Sequence, residues 1–145
     1  MNPFLKSPED RLKSWKNLRA ELLKMNEEDQ LTQLIKYWSQ CPLSMHSFDW
    51  TDPDTWETPW EMLYHCNIDR NSIAYLMEQT LIIDGWDENR FKLLMYKDTL
   101  EQILILLIDD SIVLNYDLHN KISIDDLKGE YQEKYKCVNN KHILY

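Results

Sequence analysis

Glycine is almost missing from this chain: Gly85 and Gly129 are the two among 145 residues. A loop that cradles phosphate needs several glycines close together, because the backbone itself must approach the ligand. Neither a P-loop nor a dinucleotide-binding turn can be written here. Cysteine is sparse as well. Cys41, Cys66 and Cys137 are far apart, odd in number and form no C-x-x-C pair. That pattern reads as reduced thiols, not as a disulfide framework or a zinc site. The four histidines, His46, His65, His119 and His142, show no metal-ligand spacing and no H-E-x-x-H. No cofactor and no metal are expected. Long apolar runs are missing too. The longest, residues 103–108, is far too short to span a bilayer. The first residues, M-N-P-F-L-K-S-P, lack the apolar core of a signal peptide. The expectation is a chain made in a cytoplasm, away from membranes.

Positive charge is scarce in one region. Lys and Arg number 16 against 25 Asp and Glu, a formal net charge of −9. Residues 41–89 hold ten acids and a single base, Arg70, while the flanking segments are close to neutral. The same middle third carries four of the six tryptophans. Clustered Lys and Arg are what grip a nucleic-acid backbone, so direct nucleic-acid binding is not expected.

What is present is amphipathic periodicity. Ser7-Pro8-Glu9-Asp10 is a helix start, with a capping hydroxyl, proline in the first turn and acids at the positive dipole end. Leu12, Trp15, Leu18, Leu22 and Met25 follow near helical spacing, and Leu31, Leu34, Ile35 and Trp38 repeat it. These spacings predict two helices, at 8–25 and 27–39. Thr58-Pro59-Trp60-Glu61 is a capping box that starts a third. A break near 67–72 precedes a second apolar stretch that stops at Gly85. The period then changes. Residues 91–96, 101–108 and 111–116 read as three antiparallel strands, the middle one apolar on both faces and covered by the helix after Pro59. Residues 121–124 read as a further strand and 124–135 as a C-terminal helix. Asn139-Asn140 turns a final hairpin of 136–138 against 142–145.

The fold class that follows is α+β. An N-terminal helical pair, residues 1–40, forms an arm. Residues 41–145 form a domain with an acidic, Trp-rich loop at 41–58, a central helix on a small antiparallel sheet and a C-terminal helix.

Candidate contact residues come from that loop and the arm. Trp50, Trp56 and Trp60 make either an aromatic shelf or core filling. Asp49, Asp52 and Asp54 are read chiefly as turn and cap residues, because no glycine shapes an ion-binding turn. Trp15 and Trp38 would dock a partner if they lay on an unused helix face. The partner-contact set is therefore Trp15, Trp38, Trp50, Asp52, Asp54 and Trp56. Cys66, in His65-Cys66-Asn67, is the candidate nucleophile. His65 is its sequence neighbour and so points elsewhere on a helix.

Two resemblances add to this reading. Residues 49–63, D-W-T-D-P-D-T-W-E-T-P-W-E-M-L, resemble a W-x-D-P-x-x-W-x-x-P-W-E core of small tailed-bacteriophage proteins, and V-L-N-Y at 113–116 resembles a later strand of theirs. Separately, helix followed by antiparallel strands is similar to the core of transglutaminase-like and papain-like proteins. That resemblance implies a Cys at a helix start, a His on a following strand and an Asp or Asn on the next. Here the strand has Glu101 and Gln102 and no His, and Asn115 or Asp117 would be the third member. The resulting expectation is a non-catalytic structural or assembly protein of a phage virion, binding other subunits and able to oligomerise. A cysteine enzyme using Cys66 is the alternative. An acidic inhibitor of a host nucleic-acid-binding enzyme is the third.

Overall fold

The computed structural model describes residues 2–45 and 48–144, so His46 lies outside the described residues. Helix starts fall where capping chemistry puts them. Ser7 Oγ accepts from Asp10 N to open α1 (Pro8–Leu22), and Asn26 Oδ1 accepts from Asp29 N to open α2 (Glu27–Trp38). Thr58 and Glu61 form the reciprocal capping box of α3 (Pro59–His65). α3 stops at Cys66, whose backbone is left-handed at φ 52°. After a short turn the chain re-enters helix as α4 (Ser72–Ile83). Asp69 Oδ1 accepts from Ser72 N at 2.9 Å there. Gly85 follows at φ 103°, a conformation that glycine adopts without strain.

Among the described residues the sheet has six strands: β1 (Phe91–Lys97), β2 (Gln102–Ile108), β3 (Ile112–Leu114), β4 (Ile122–Ser123), β5 (Glu130–Val138) and β6 (Lys141–Leu144). Their spatial order is β4-β3-β2-β1-β5-β6, and every pairing is antiparallel. The chain runs outward from β1 to β4, then crosses back to lay β5 on the other edge of β1.

β2 is apolar on both faces because both faces are covered. Leu93, Met95, Leu104 and Leu106 point into the main core with α4. Leu94, Tyr96, Ile103, Ile105 and Leu107 meet a second cluster, closed by Tyr116, Ile122, Ile124 and Leu127. The alternation is the strand period of two.

The α+β class stands, with one correction. The expected C-terminal helix over 124–135 is not formed. One 3-10 turn (Ile124–Asp126) leads instead into β5. Spacing Leu127 and Tyr131 four apart suggested a helix, but burial falls on Tyr135 and Cys137, two apart. The free edge of β1 supplies backbone partners that a helix would leave unpaired. Gly129 makes the approach possible: a Cβ there would lie 2.5 Å from Lys97 O. The cover of β2 is α4, the second half of the helical region after Pro59.

The N-terminal helices join the same core. Trp15, Leu22, Leu34 and Trp38 are all fully enclosed in the cluster that holds α4 and the sheet. Arg11 donates to Lys6 O, Leu63 O and Tyr64 O, each at 2.6 Å. It thereby satisfies carbonyls that the end of α3 leaves open. Among the described residues, no helix is long and apolar enough to cross a membrane.

Asp84 sits against this packing. It is the C-cap of α4, at the negative dipole end, and its Oδ2 is buried without a hydrogen-bond partner among the described residues. Burial raises its carboxyl to about 6, opposed by Arg19. A raised carboxyl means the folded state holds a proton that the unfolded state has lost. Stability therefore falls as pH rises from about 4 to about 6. Asp84→Asn should leave stability unchanged below pH ~4 and raise it by about 1 kcal/mol at pH 7. Urea unfolding across pH checks this.

Candidate functional site

The terminal hairpin builds the site. Asn139 and Asn140 take φ of 49° and 64°, the two left-handed positions of a two-residue turn. The turn fixes the register, with Val138 opposite Lys141 and Cys137 opposite His142. Opposed residues share a face of the sheet, so the thiol and the imidazole project together. That face looks at α4, which presents Glu78. His142 Nε2 lies 2.6 Å from Glu78 Oε1. One ligand-type atom from each of Glu78, Cys137 and His142 lies within 4.8 Å of the other two.

The cluster is enclosed. Glu78 and Cys137 are both 0% exposed and the His142 side chain is 6% exposed. Trp56 and Tyr75 close over His142, with ring centroids 4.9 and 5.4 Å from the imidazole. Trp56 is wedged among Phe48, Tyr75 and Tyr135. Three bonds pin its loop down: Trp56 Nε1 to Asp49 O at 2.7 Å, Tyr75 Oη to Glu57 O at 3.0 Å and Tyr135 Oη to Trp50 O at 2.6 Å. A cavity of about 280 Å³ lies beside it, between Phe48, Trp56, Glu57 and Met62.

The electrostatics follow from enclosure. Burial pushes the Cys137 thiol up to about 12, and the charges of Glu78 and Glu88 add to it. An isolated buried carboxylate is costly, so the short bond to His142 is what makes Glu78 tolerable. Gln79 Nε2 also donates to Glu78 Oε1, at 3.0 Å. Glu78 Oε2 is buried and has no hydrogen-bond partner among the described residues.

The positions named by the transglutaminase-like resemblance hold different chemistry. Asn71 and Ser72 stand at the start of α4. Asn71 Oδ1 accepts from Leu104 N at 2.9 Å. Asn115 is buried at φ 73° and donates to Leu104 O and Arg70 O, while Arg70 donates to Asn115 Oδ1 and Tyr116 O. Asp117 accepts from His119 N. This net ties α4 to β2 and β3 through amides and a guanidinium.

Cys66 ends α3 instead of opening a helix, the dipole end that disfavours an anion. Its Sγ lies 3.9 Å from Phe4 O, and neighbouring His65 faces Glu57 at 3.6 Å. Cys41 is buried, and burial pushes its thiol up to about 12.

The contact candidates divide by burial. Trp15 and Trp38 are 0% and 1% exposed, so neither offers side-chain surface to a partner. Trp15 Nε1 instead donates to Thr80 Oγ1 at 3.1 Å. Trp60 is exposed and rests edge-on against Trp15. Trp56 is the roof described above. Trp50 is half-buried with Lys134 over its ring, and Asp52 and Asp54 are exposed. Asp52 Oδ1 caps the 3-10 turn at 53–55 by accepting from Asp54 N, and Asp49 accepts from Thr51. The acids of this loop are turn and cap residues.

No family model matches the chain, and no curated protein matches it. Among solved structures it is similar to Legionella pneumophila LapG. The calcium-bound form superposes with a TM-score of 0.75 at 15% identity, over 96% of this chain and 80% of that one. A second LapG structure gives 0.74 at 15% identity over 94% and 79%, and an EGTA-treated one 0.74 at 15% over 94% and 77%. The chain therefore has a transglutaminase-like fold.

Two expectations are corrected here. The chain was expected to be a non-catalytic virion assembly part and not an enzyme. Likeness to LapG, together with a thiol, an imidazole and a carboxylate gathered in one cluster, overturns both. The histidine of the cluster is not on the strand after the helix but on β6, the last strand of the described chain.

Two signals pointed to it. A turn at Asn139-Asn140 already puts residue 137 opposite 142 by counting. Glu78 is a charge inside the apolar stretch 73–83, where a buried acid needs a partner.

Trp56→Ala should raise the rate at which Cys137 reacts with a small aromatic disulfide reagent by at least about tenfold, from lost cover alone. A Cys41→Ser/Cys66→Ser background isolates the signal, read by absorbance and peptide mass.

Proposed function

We propose that the chain is a cysteine-dependent enzyme acting on an acyl group, as a hydrolase or a transferase. The observation that carries this is the 2.6 Å bond between Glu78 and His142 with Cys137 beside them. The fold is shared with LapG, and the reaction class is read from this chain's own cluster.

Roles follow from the chemistry of the three groups. Glu78, as a carboxylate, accepts from Nε2–H of His142. It thereby fixes the tautomer and leaves Nδ1 as the basic atom. His142 takes the proton of Cys137, and Glu78 stabilises the imidazolium that forms. The thiolate attacks the substrate carbonyl, and the leaving group departs with the proton from His142. A thioester remains. Water, deprotonated by His142, or an acceptor amine then releases the acyl group and restores the thiol.

The resting thiol is protonated and enclosed. Substrate therefore has to displace the Trp56 segment before attack. Closing the site in this way also keeps water from the imidazole between turnovers.

Cys66 is not assigned the role, because among the described residues it has no imidazole bonded to it and it lies at the wrong helix end. Partner contact through Trp50, Asp52 and Asp54 belongs to this reading as a substrate-facing or subunit-facing surface, acidic enough to favour a basic protein. The resemblance of residues 49–63 to tailed-phage proteins is kept as a proposal about origin, with synthesis in a host cytoplasm. A gene position among phage genes tests it.

The catalytic reading is tested with an electrophilic acyl probe and mass mapping. Labelling should fall on Cys137, drop by about 10²-fold or more in His142→Ala, and drop about tenfold in Glu78→Gln. Labelling confined to Cys66 would move the nucleophile there, and no labelling of any cysteine would sink the reading.

A further inference from the structure

We infer that Glu78, Cys137 and His142 form a binding site for one thiophilic divalent cation of the zinc class. Three observations carry it. The donor set is one carboxylate, one thiol and one imidazole, the mixture that borderline-soft ions select. Ligand atoms from all three lie within 4.8 Å of one another. Around a tetrahedral ion with bonds of about 2.0–2.3 Å, donors stand roughly 3.5 Å apart. The cluster lies within reach of that spacing, and the 2.6 Å between Glu78 Oε1 and His142 Nε2 has to open by about 1 Å to admit the ion. Lastly, Glu78 Oε2 is an enclosed carboxylate oxygen with no hydrogen-bond partner among the described residues, on a side chain that is 0% exposed. An ion supplies the partner that this oxygen lacks.

Charge closes as well. A divalent ion meets one thiolate and one carboxylate, so the occupied site is neutral in a place where net charge is costly. The thiol proton leaves to solvent on binding, and nothing is oxidised or reduced. The support around the site is already in place. Gln79 holds Glu78 Oε1, and Trp56 and Tyr75 shield the imidazole from water. Calcium, the ion named for one LapG structure, is the wrong class for these residues. It takes about six to eight oxygen ligands.

The ion needs only the geometry. Its consequence for catalysis rests on the reading above: an occupied site ties up the sulfur and the imidazole, so zinc acts as an inhibitor.

The test uses the full chain, stripped of metal by a chelator and titrated with Co²⁺. The expected result is one equivalent bound, with a thiolate-to-cobalt absorption band that Zn²⁺ displaces. The band should survive in Cys41→Ser/Cys66→Ser and vanish in Cys137→Ser. Glu78→Gln should weaken binding by about 10–100-fold, and serves as the second variant if Cys137→Ser fails to fold. A wild-type chain with no band, or a band that persists in folded Cys137→Ser, overturns the site. Acyl-probe labelling of the metal-free chain separates the two claims. Labelling without cobalt binding removes the metal site alone, and cobalt binding without labelling removes the catalytic reading alone. If both hold, added Zn²⁺ abolishes labelling of Cys137.

Discussion

The constraint on which this structure depends is the near-complete enclosure of α4, whose residues 72–78, 80 and 81 are all buried. The helix is apolar nearly all round, with the sheet on one side and the N-terminal helices on the other. Its buried polar groups, Ser72, Glu78 and Thr80, cannot turn to solvent, and each draws a partner from beyond the helix. Ser72 is answered by Asp69 in the preceding turn. Thr80 is answered by Trp15 of α1 and Glu78 by His142 of β6. Asn71, at the entry to the helix, is answered by the backbone of β2. These few bonds dictate how three separate stretches of chain dock on one helix. An unmade bond in such a place costs about 1–3 kcal/mol, so the docking is specific as well as tight.

The same constraint explains where the candidate chemistry lies. In the transglutaminase-like arrangement the helix start faces the strands that follow it. Here that junction is filled by Asn71, Arg70 and Asn115, amides and a guanidinium that join backbone to backbone. They are good mortar and poor nucleophiles. The reactive groups gather farther along the helix, at Glu78, where the terminal hairpin crosses it. Fold and site are thus separable. The likeness to LapG describes the frame, and the cluster is read from this chain's own side chains.

Much of the frame was legible in the residues. Capping chemistry at Ser7, Asn26 and Thr58 marks three helix starts, because those side chains answer orphan N–H groups by local geometry alone. The meander over β1, β2 and β3 follows from period and turn residues. β5 was misread because its evidence is not local. Its sequence tolerates either state, and the free edge of β1, more than thirty residues earlier in the chain, decides between them. The site was half legible. The Asn139-Asn140 turn implies that Cys137 faces His142. That Glu78 meets them depends on how α4 lies across the sheet, which no window of sequence records. Trp15 and Trp38 look like spare apolar surface for the same reason: the partner of the one is 65 residues away, at Thr80 on α4, and that of the other is at Phe4 in the N-terminal turn.

The order of the chain gives the terminal hairpin a further consequence. A ribosome delivers α4 and β1 well before β5 and β6. During that interval Glu78 has no imidazole to meet, and one edge of β1 is bare. The nascent chain therefore carries a carboxylate that resists being buried and a strand that invites pairing with a stranger. Arrival of His142 removes both at once, since the strand that brings it is held by the one that covers the edge. Completion of the reactive cluster and retirement of the sticky edge are the same event, so a folded frame and an assembled site appear together in the life of each molecule.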